Sequence, residues 1–442
     1  MSAKRLMAFL AASLVTASAW AGLDIQHWTT ANGARVYFVE NHDLPMLDLS
    51  VAFAAGSAYD TADKSGLANL TRHMMNLGAG DLDEQQIAEK LADVGAEMSG
   101  FFDQDRAGFT LRTLSSPGEA DPALAVFRTV LAQPRFPEAV VEREKARTIA
   151  NLEEAATKPE FLGDKAFQAA IYCGHPYALP ESGEPATVAK LGRADLADFH
   201  ARYYRAANMT VAIMGDIDRA GAEKLANGFA ADLPPGEAPP PLPPVSELSL
   251  GVEQLIPHHA TQSHLFIGQP GMTRDDPDYF PLLVGNYVLG GGGFDSRLVE
   301  EIRQKRGLAY SAYSYFMPMK ELGAFQIGLQ TRRDATDQAL KVVRDTLKHY
   351  LADGPTEAEL QQARDNLVGG FPLRLDSNRK ILEYLAMIGF YQLPPDWLDS
   401  YPKKVAAVSR DDIMRALRAR LHPDTMVTVI VGGQLEPEKG QK

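Results

Sequence analysis

The chain of 442 residues has one cysteine, Cys173, and three tryptophans. A single thiol excludes an intramolecular disulfide, so the fold must rest on its apolar core. Basic residues are in deficit. There are 44 Lys and Arg against 57 Asp and Glu, a formal charge of −13, which argues against a nucleic-acid-binding face. Beyond the first 21 residues no apolar run reaches bilayer length, so no membrane is expected among the partners. No G-x-S-x-G elbow points to a serine hydrolase. The glycines Gly290, Gly291, Gly292 and Gly293 lack the lysine of a phosphate-binding P-loop. What remains, 45% apolar and 23% charged residues, is ordinary for a globular protein long enough for two or more domains.

The N-terminus reads "MSAKRLMAFLAASLVTASAWA". Lys4 and Arg5 precede an apolar run at 6–17, and Ala19-Trp20-Ala21 makes a small-x-small cleavage site. Residues 1–21 are therefore expected to be a cleaved signal peptide, which makes the chain an exported protein, periplasmic in a Gram-negative cell.

The strongest internal boundary is "LPPGEAPPPLPPVSEL" at 233–248. Its prolines cannot join a helix or central strand and favour an extended spacer. On either side the same order of elements recurs: two strands, two helices, two strands, long helices, and a closing strand. The closing strands, "MTVAIMGDI" and "TMVTVIVGG", share one pattern. This predicts an α+β fold of two homologous domains, 22–232 and 249–436, each an antiparallel-rich sheet with packed helices, forming a clamshell.

Three stretches carry a family resemblance: "GSAYDTADKSGLANLTRHM", "HPYALPESG" at 175–183, and "LGGGGFDSRLVEEIRQKRGLAYSAYSYF" at 289–316. Over nearly the whole chain past the signal segment the sequence resembles the pitrilysin-like M16 zinc peptidases, of the short bacterial and processing-peptidase type. That family places zinc on the two His of H-x-x-E-H, with the Glu activating water and a further Glu ligand on a later helix. Here the motif positions are Asn69, Arg72 and His73, and the third ligand falls near Ile149 in "VEREKARTIANLEE", or at Glu153 if the register slips by a turn. A catalytic zinc needs three protein ligands and an open position. An arginine in the base position can neither accept a proton nor tolerate a cation beside it. No metal or other cofactor is expected on this chain.

The resemblance implies a different role for the second half. Family members use an Arg and a Tyr there to hold the substrate backbone near the scissile bond. Arg303 and Tyr310, in "EEIRQKRGLAY", match those positions, and Arg306 is a competing donor. Guanidinium and phenol are both donors, suited to a peptide carbonyl and its oxyanion. The resemblance to processing peptidases implies that the glycine run at 290–293 lies near the substrate, the equal alternative being a close backbone turn before the helix, which Asp295 or Ser296 would cap. His175, His200, and the pair Asp103 and Asp105 read as structural, the last two as a hairpin turn. The neighbours His258 and His259, read as strand residues, would point to opposite faces.

The expected function is thus a non-catalytic, substrate-binding subunit of a heterodimeric zinc endopeptidase. Its partner would carry H-x-x-E-H and the Zn2+, and extended peptides would be the substrates. A catalytically dead scaffold or peptide-binding protein is the alternative.

Overall fold

The computed structural model describes residues 23–432. The expected signal peptide and the last residues of the second domain lie outside the described residues. The first half builds a six-stranded sheet in the order Gln26–Thr29, Arg35–Glu40, Met209–Gly215, Met46–Phe53, Ala107–Leu114, Glu97–Phe102. Every pairing is antiparallel except that of Arg35–Glu40 with Met209–Gly215. The second half orders its five strands as Ala309–Phe316, Gly323–Arg332, Gln262–Met272, Val427–Val431, Glu253–Ile256. Again one pair is parallel, Val427–Val431 with Glu253–Ile256. Strand for strand the sheets share one topology, with Gln26–Thr29 added to the first. The α+β class and the doubling both follow the sequence reading. The closing strands lie inside their sheets and are buried throughout, which is why they read as near-continuous apolar runs rather than alternations.

Each half lends a helix to the other. Pro159–Ile171 packs on Gln262–Met272 and Val427–Val431, and Asn378–Tyr391 packs across Arg35–Glu40, Met46–Phe53 and Met209–Gly215. A glycine sits at each crossing. A Cβ on Gly163 would stand 2.1 Å from the Phe266 ring, and one on Gly389 2.6 Å from the Tyr37 ring. Helix and sheet approach this closely only without side chains there. The two lobes are latched further by Asp105, which is 2% exposed. Its carboxylate accepts from Tyr391 Oη and Lys320 N, each at 2.8 Å, and from Tyr177 Oη. Asp103 does make the expected turn, its Oδ1 accepting from the Asp105 and Arg106 amides at 2.9 and 2.8 Å. Asp105 of that same turn is a joint between halves.

The segment 234–248 has no helix or strand and is pinned to the first half. His175 Nε2 donates to Pro243 O at 2.8 Å, and Val245 is buried. Two helices, Arg219–Asp232 and Trp397–Ala407, have no counterpart in the sequence reading. Gly221 and Gly228 interrupt the first and Pro402 the second, residues that read as breakers.

Candidate functional site

The motif helix is Leu67–Met74. It buries Leu67, Leu70, Thr71 and Met74, which leaves Asn69, Arg72 and His73 half-buried on its remaining face. Asp60 fixes its start, accepting from the Gly66 and Ala68 amides at 2.8 Å each. Burial pushes that carboxyl up to about 7 against these bonds.

None of the three motif residues is free for a metal. Asn69 Nδ2 donates to Ser182 Oγ at 3.2 Å. His73 Nε2 lies 2.9 Å from Glu144 Oε2. Glu144, on helix Glu138–Ala155, is 1% exposed and also takes Arg143 and Arg147 at 2.8 Å each. Burial raises its pKa, and the bonds from His73 and Arg143 with the charge of Arg147 outweigh that, holding it below the ordinary carboxylate range. Arg143 continues to Glu84 at 2.7 Å. Arg72 lies over Gly100 on the edge strand Glu97–Phe102, where a Cβ would stand 2.2 Å from its Nη1. Its Nε is buried without an acceptor.

Neither position considered for the third ligand meets His73. Ile149 offers no donor atom and Glu153 is exposed. The acid that meets His73 is Glu144, on an earlier turn of the same helix. It stands inside the quoted stretch "VEREKARTIANLEE", where Arg143 beside it and Arg147 at i+3 were the available signal. Among the described residues no three His, Cys, Asp or Glu side chains come together to hold a metal ion. The donor set does not fit zinc, since the one motif imidazole has its Nε2 engaged by Glu144 and Arg147 and a guanidinium fills the base position.

The second-half residues are brought together. Helix Tyr279–Asn286 widens to a π turn at Tyr287–Gly291, and another π turn spans Glu300–Gln304. Such turns recur at functional sites because they re-aim side chains. Arg303 stands on the second. Its guanidinium lies between two rings, 4.7 Å from the Phe294 centroid and 4.5 Å from that of Tyr310. Tyr310 is 82% exposed. Strand parity would bury it with Ala312 and Ser314, but the register slips between Ala309 and Ala312, and this bulge turns it outward. Arg306 is occupied, donating to Glu301 O at 2.8 Å and Oε2 at 2.5 Å.

Gly290 is buried where a Cβ would meet Ser314 Oγ at 2.4 Å, while Gly291 and Gly293 are exposed and Gly292 is half-buried. Asn286 and Ser314 anchor this loop, with Nδ2 to O at 3.0 Å and Oγ to Oδ1 at 2.7 Å. The helix begins at Arg297. Ser296 precedes it but does not cap it by side chain, donating instead to Gly293 O at 2.7 Å.

A cavity of about 290 Å3 lies between the halves, and none of Asn69, Arg72, His73, Arg303 and Tyr310 lines it. Ser182, which holds Asn69, and Tyr315, on the strand of Tyr310, both line it, with Asp164 and Glu181. Burial first, then the charges of Asp103 and Asp164, push Glu181 up to about 7. His200 packs as expected, stacked on Tyr204 with Nε2 donating to Leu131 O at 2.9 Å. His258 lies beyond the strand end at Ile256, so the opposite-faces argument does not apply. It donates to Thr157 O at 3.1 Å.

Two repeats of one sheet-and-helix unit, with a metal-type helix closed by other contacts, define a class: two-domain relatives of metallopeptidases that have lost their own metal site. The chain belongs to the peptidase M16 family. Residues 35–182 match the profile described as insulinase (peptidase family M16), and residues 190–367 the one described as peptidase M16 inactive domain. The crystal structure of a peptidase M16 inactive domain from Pseudomonas fluorescens is 37% identical. It covers 93% of this chain and 98% of its own, with a TM-score of 0.90. A Helicobacter pylori protein named "Non-peptidase homolog YmxG" is 26% identical over 90% of this chain and 92% of its own. The "Uncharacterized zinc protease YmxG" of Bacillus subtilis is 25% identical over 80% and 85%. The chain is thus an M16 homologue of the inactive type.

Proposed function

We propose that this chain is the substrate-binding, non-catalytic subunit of a heterodimeric zinc endopeptidase, working in the periplasm on extended peptides. The observation that carries this is the contrast between its two halves. The motif helix is closed by internal contacts, while Tyr310 stands outward on a β-bulge and Arg303 lies half-buried beside it on a π turn. The Arg303 N–H groups meet no protein acceptor among the described residues, so they are available to a carbonyl outside the chain. Cleavage belongs to the partner, an M16 chain with intact H-x-x-E-H and its own Zn2+. This chain contributes binding and orientation: Arg303 and the Tyr310 hydroxyl donate to the backbone carbonyl under attack, and the loop of Gly290, Gly291, Gly292 and Gly293 lies beside the peptide.

The relative named a non-peptidase homologue supports the alternative of a scaffold or binding protein without peptidase function. Association decides between them. Light scattering of the chain mixed with an H-x-x-E-H chain from the same cell should give a one-to-one complex with peptidase activity. Two unassociated species would remove the subunit reading.

A further inference from the structure

Arg72 occupies the position of a general base and has been left unneutralised. It projects from helix Leu67–Met74 across Gly100, half-buried, with its Nε sealed and without an acceptor. Among the described residues the titratable group that acts on it is Tyr204, whose phenol is buried and has no hydrogen-bond partner there. Among the described residues no carboxylate forms an ion pair with it. The carboxylates that meet the neighbouring helix Glu138–Ala155, Glu84 and Glu144, are already engaged by Arg143 and Arg147. Arg72 is thus a half-buried cation with no ion-pair partner among the described residues, in a chain whose net charge is −13. Arginine cannot lose its proton to relieve burial, and buried charges without a counter-charge are costly.

We propose that Arg72 is the centre of a carboxylate-binding site, formed where the metal site of active relatives would be, and that the carboxylate it takes is carried by a peptide. The planar guanidinium fork accepts a carboxylate two-pronged. Glu97–Phe102 is the free edge of its sheet, with Gly100 exposed next to Arg72, so an extended peptide can lie along it by backbone pairing. The carboxylate is either a peptide C-terminus or an Asp or Glu side chain. The peptide part of this rests on the peptide-binding reading above; the carboxylate part does not.

The test titrates the purified chain with one fluorescent extended peptide in three forms: free C-terminal carboxylate, C-terminal amide, and amide with an internal glutamate. Each is measured on wild type and Arg72→Gln. Wild type should bind one of the acid forms roughly 10- to 100-fold tighter than the plain amide, and Arg72→Gln should bind all three alike. Which acid form is favoured identifies the source. A second measurement follows thermal unfolding in propionate and in chloride at equal ionic strength. Propionate should raise the Tm of wild type and not that of Arg72→Gln. If no peptide binds but the Arg72-dependent propionate effect persists, the carboxylate site stands and the peptide reading fails. Equal discrimination by both proteins, or no propionate effect specific to Arg72, overturns the site.

Discussion

Replacing Glu144 by Gln keeps the side-chain volume and removes the negative charge to which His73, Arg143 and Arg147 all point. Breaking a buried ion pair by deleting one partner costs about 3–5 kcal/mol. Glu144 is 1% exposed, but Arg143 and Arg147 are 52% and 60% exposed and regain water when released. The expected loss is accordingly smaller, about 1–3 kcal/mol. The pH dependence fixes the sign. The folded protein holds the Glu144 pKa below its value in the unfolded chain, so its contribution is complete at neutral pH and is lost as pH falls through the folded pKa. Urea unfolding of wild type and Glu144→Gln should give separated midpoints at pH 7 that converge below about pH 4, with unchanged slopes. Equal midpoints at pH 7, or a gap that persists undiminished once Glu144 is protonated in acid, would refute the ion cluster. So would a zinc-induced rise in the wild-type midpoint that His73→Ala abolishes, since the helix would then still hold metal.

Tyr310 is 82% exposed, so Tyr310→Phe should shift stability by no more than ~0.5 kcal/mol. In the assembled peptidase it should lower kcat about 100-fold, the scale of a lost oxyanion donor, with a smaller effect on peptide binding. Equal losses would make Tyr310 a positioning residue, and no loss would remove it from the site. Gly100→Ala places a methyl 2.2 Å from Arg72 Nη1; the guanidinium is the far end of a flexible side chain and can swing aside, so the cost should be only about 0.5 kcal/mol. Most of that should disappear in the background of Arg72→Ala; simple additivity in denaturant midpoints would mean that the two residues do not touch in solution.

The duplication was legible because both halves repeat strand and helix periodicities in the same order, and their buried closing strands stand out as apolar runs. The exchange of helices Pro159–Ile171 and Asn378–Tyr391 was not, because a helix's apolar face does not name the sheet it will cover. At the site, once the family resemblance located the motif, its loss could be read at Asn69 and Arg72 from residue type. The fate of His73 could not, since Glu144 reaches it across two helices and no local spacing couples positions so far apart. Parity along Ala309–Phe316 would have buried Tyr310, and only the bulge, a feature of pairing with Gly323–Arg332, brings it out. Asp105 shows the same limit. Its turn was visible in the sequence, its contacts with Tyr391 and Lys320 of the other half were not.

The central claim is that this chain supplies binding groups to a partner's reaction and performs no cleavage itself. Cleavage of a quenched-fluorescent peptide library tests it, first with the chain alone and then with an H-x-x-E-H partner from the same cell, each with and without chelator. The account predicts silence alone and chelator-sensitive cleavage with the partner, exceeding what the partner achieves by itself. Cleavage by the chain alone would contradict it, and a partner whose activity is unchanged by the chain would contradict it in favour of the scaffold.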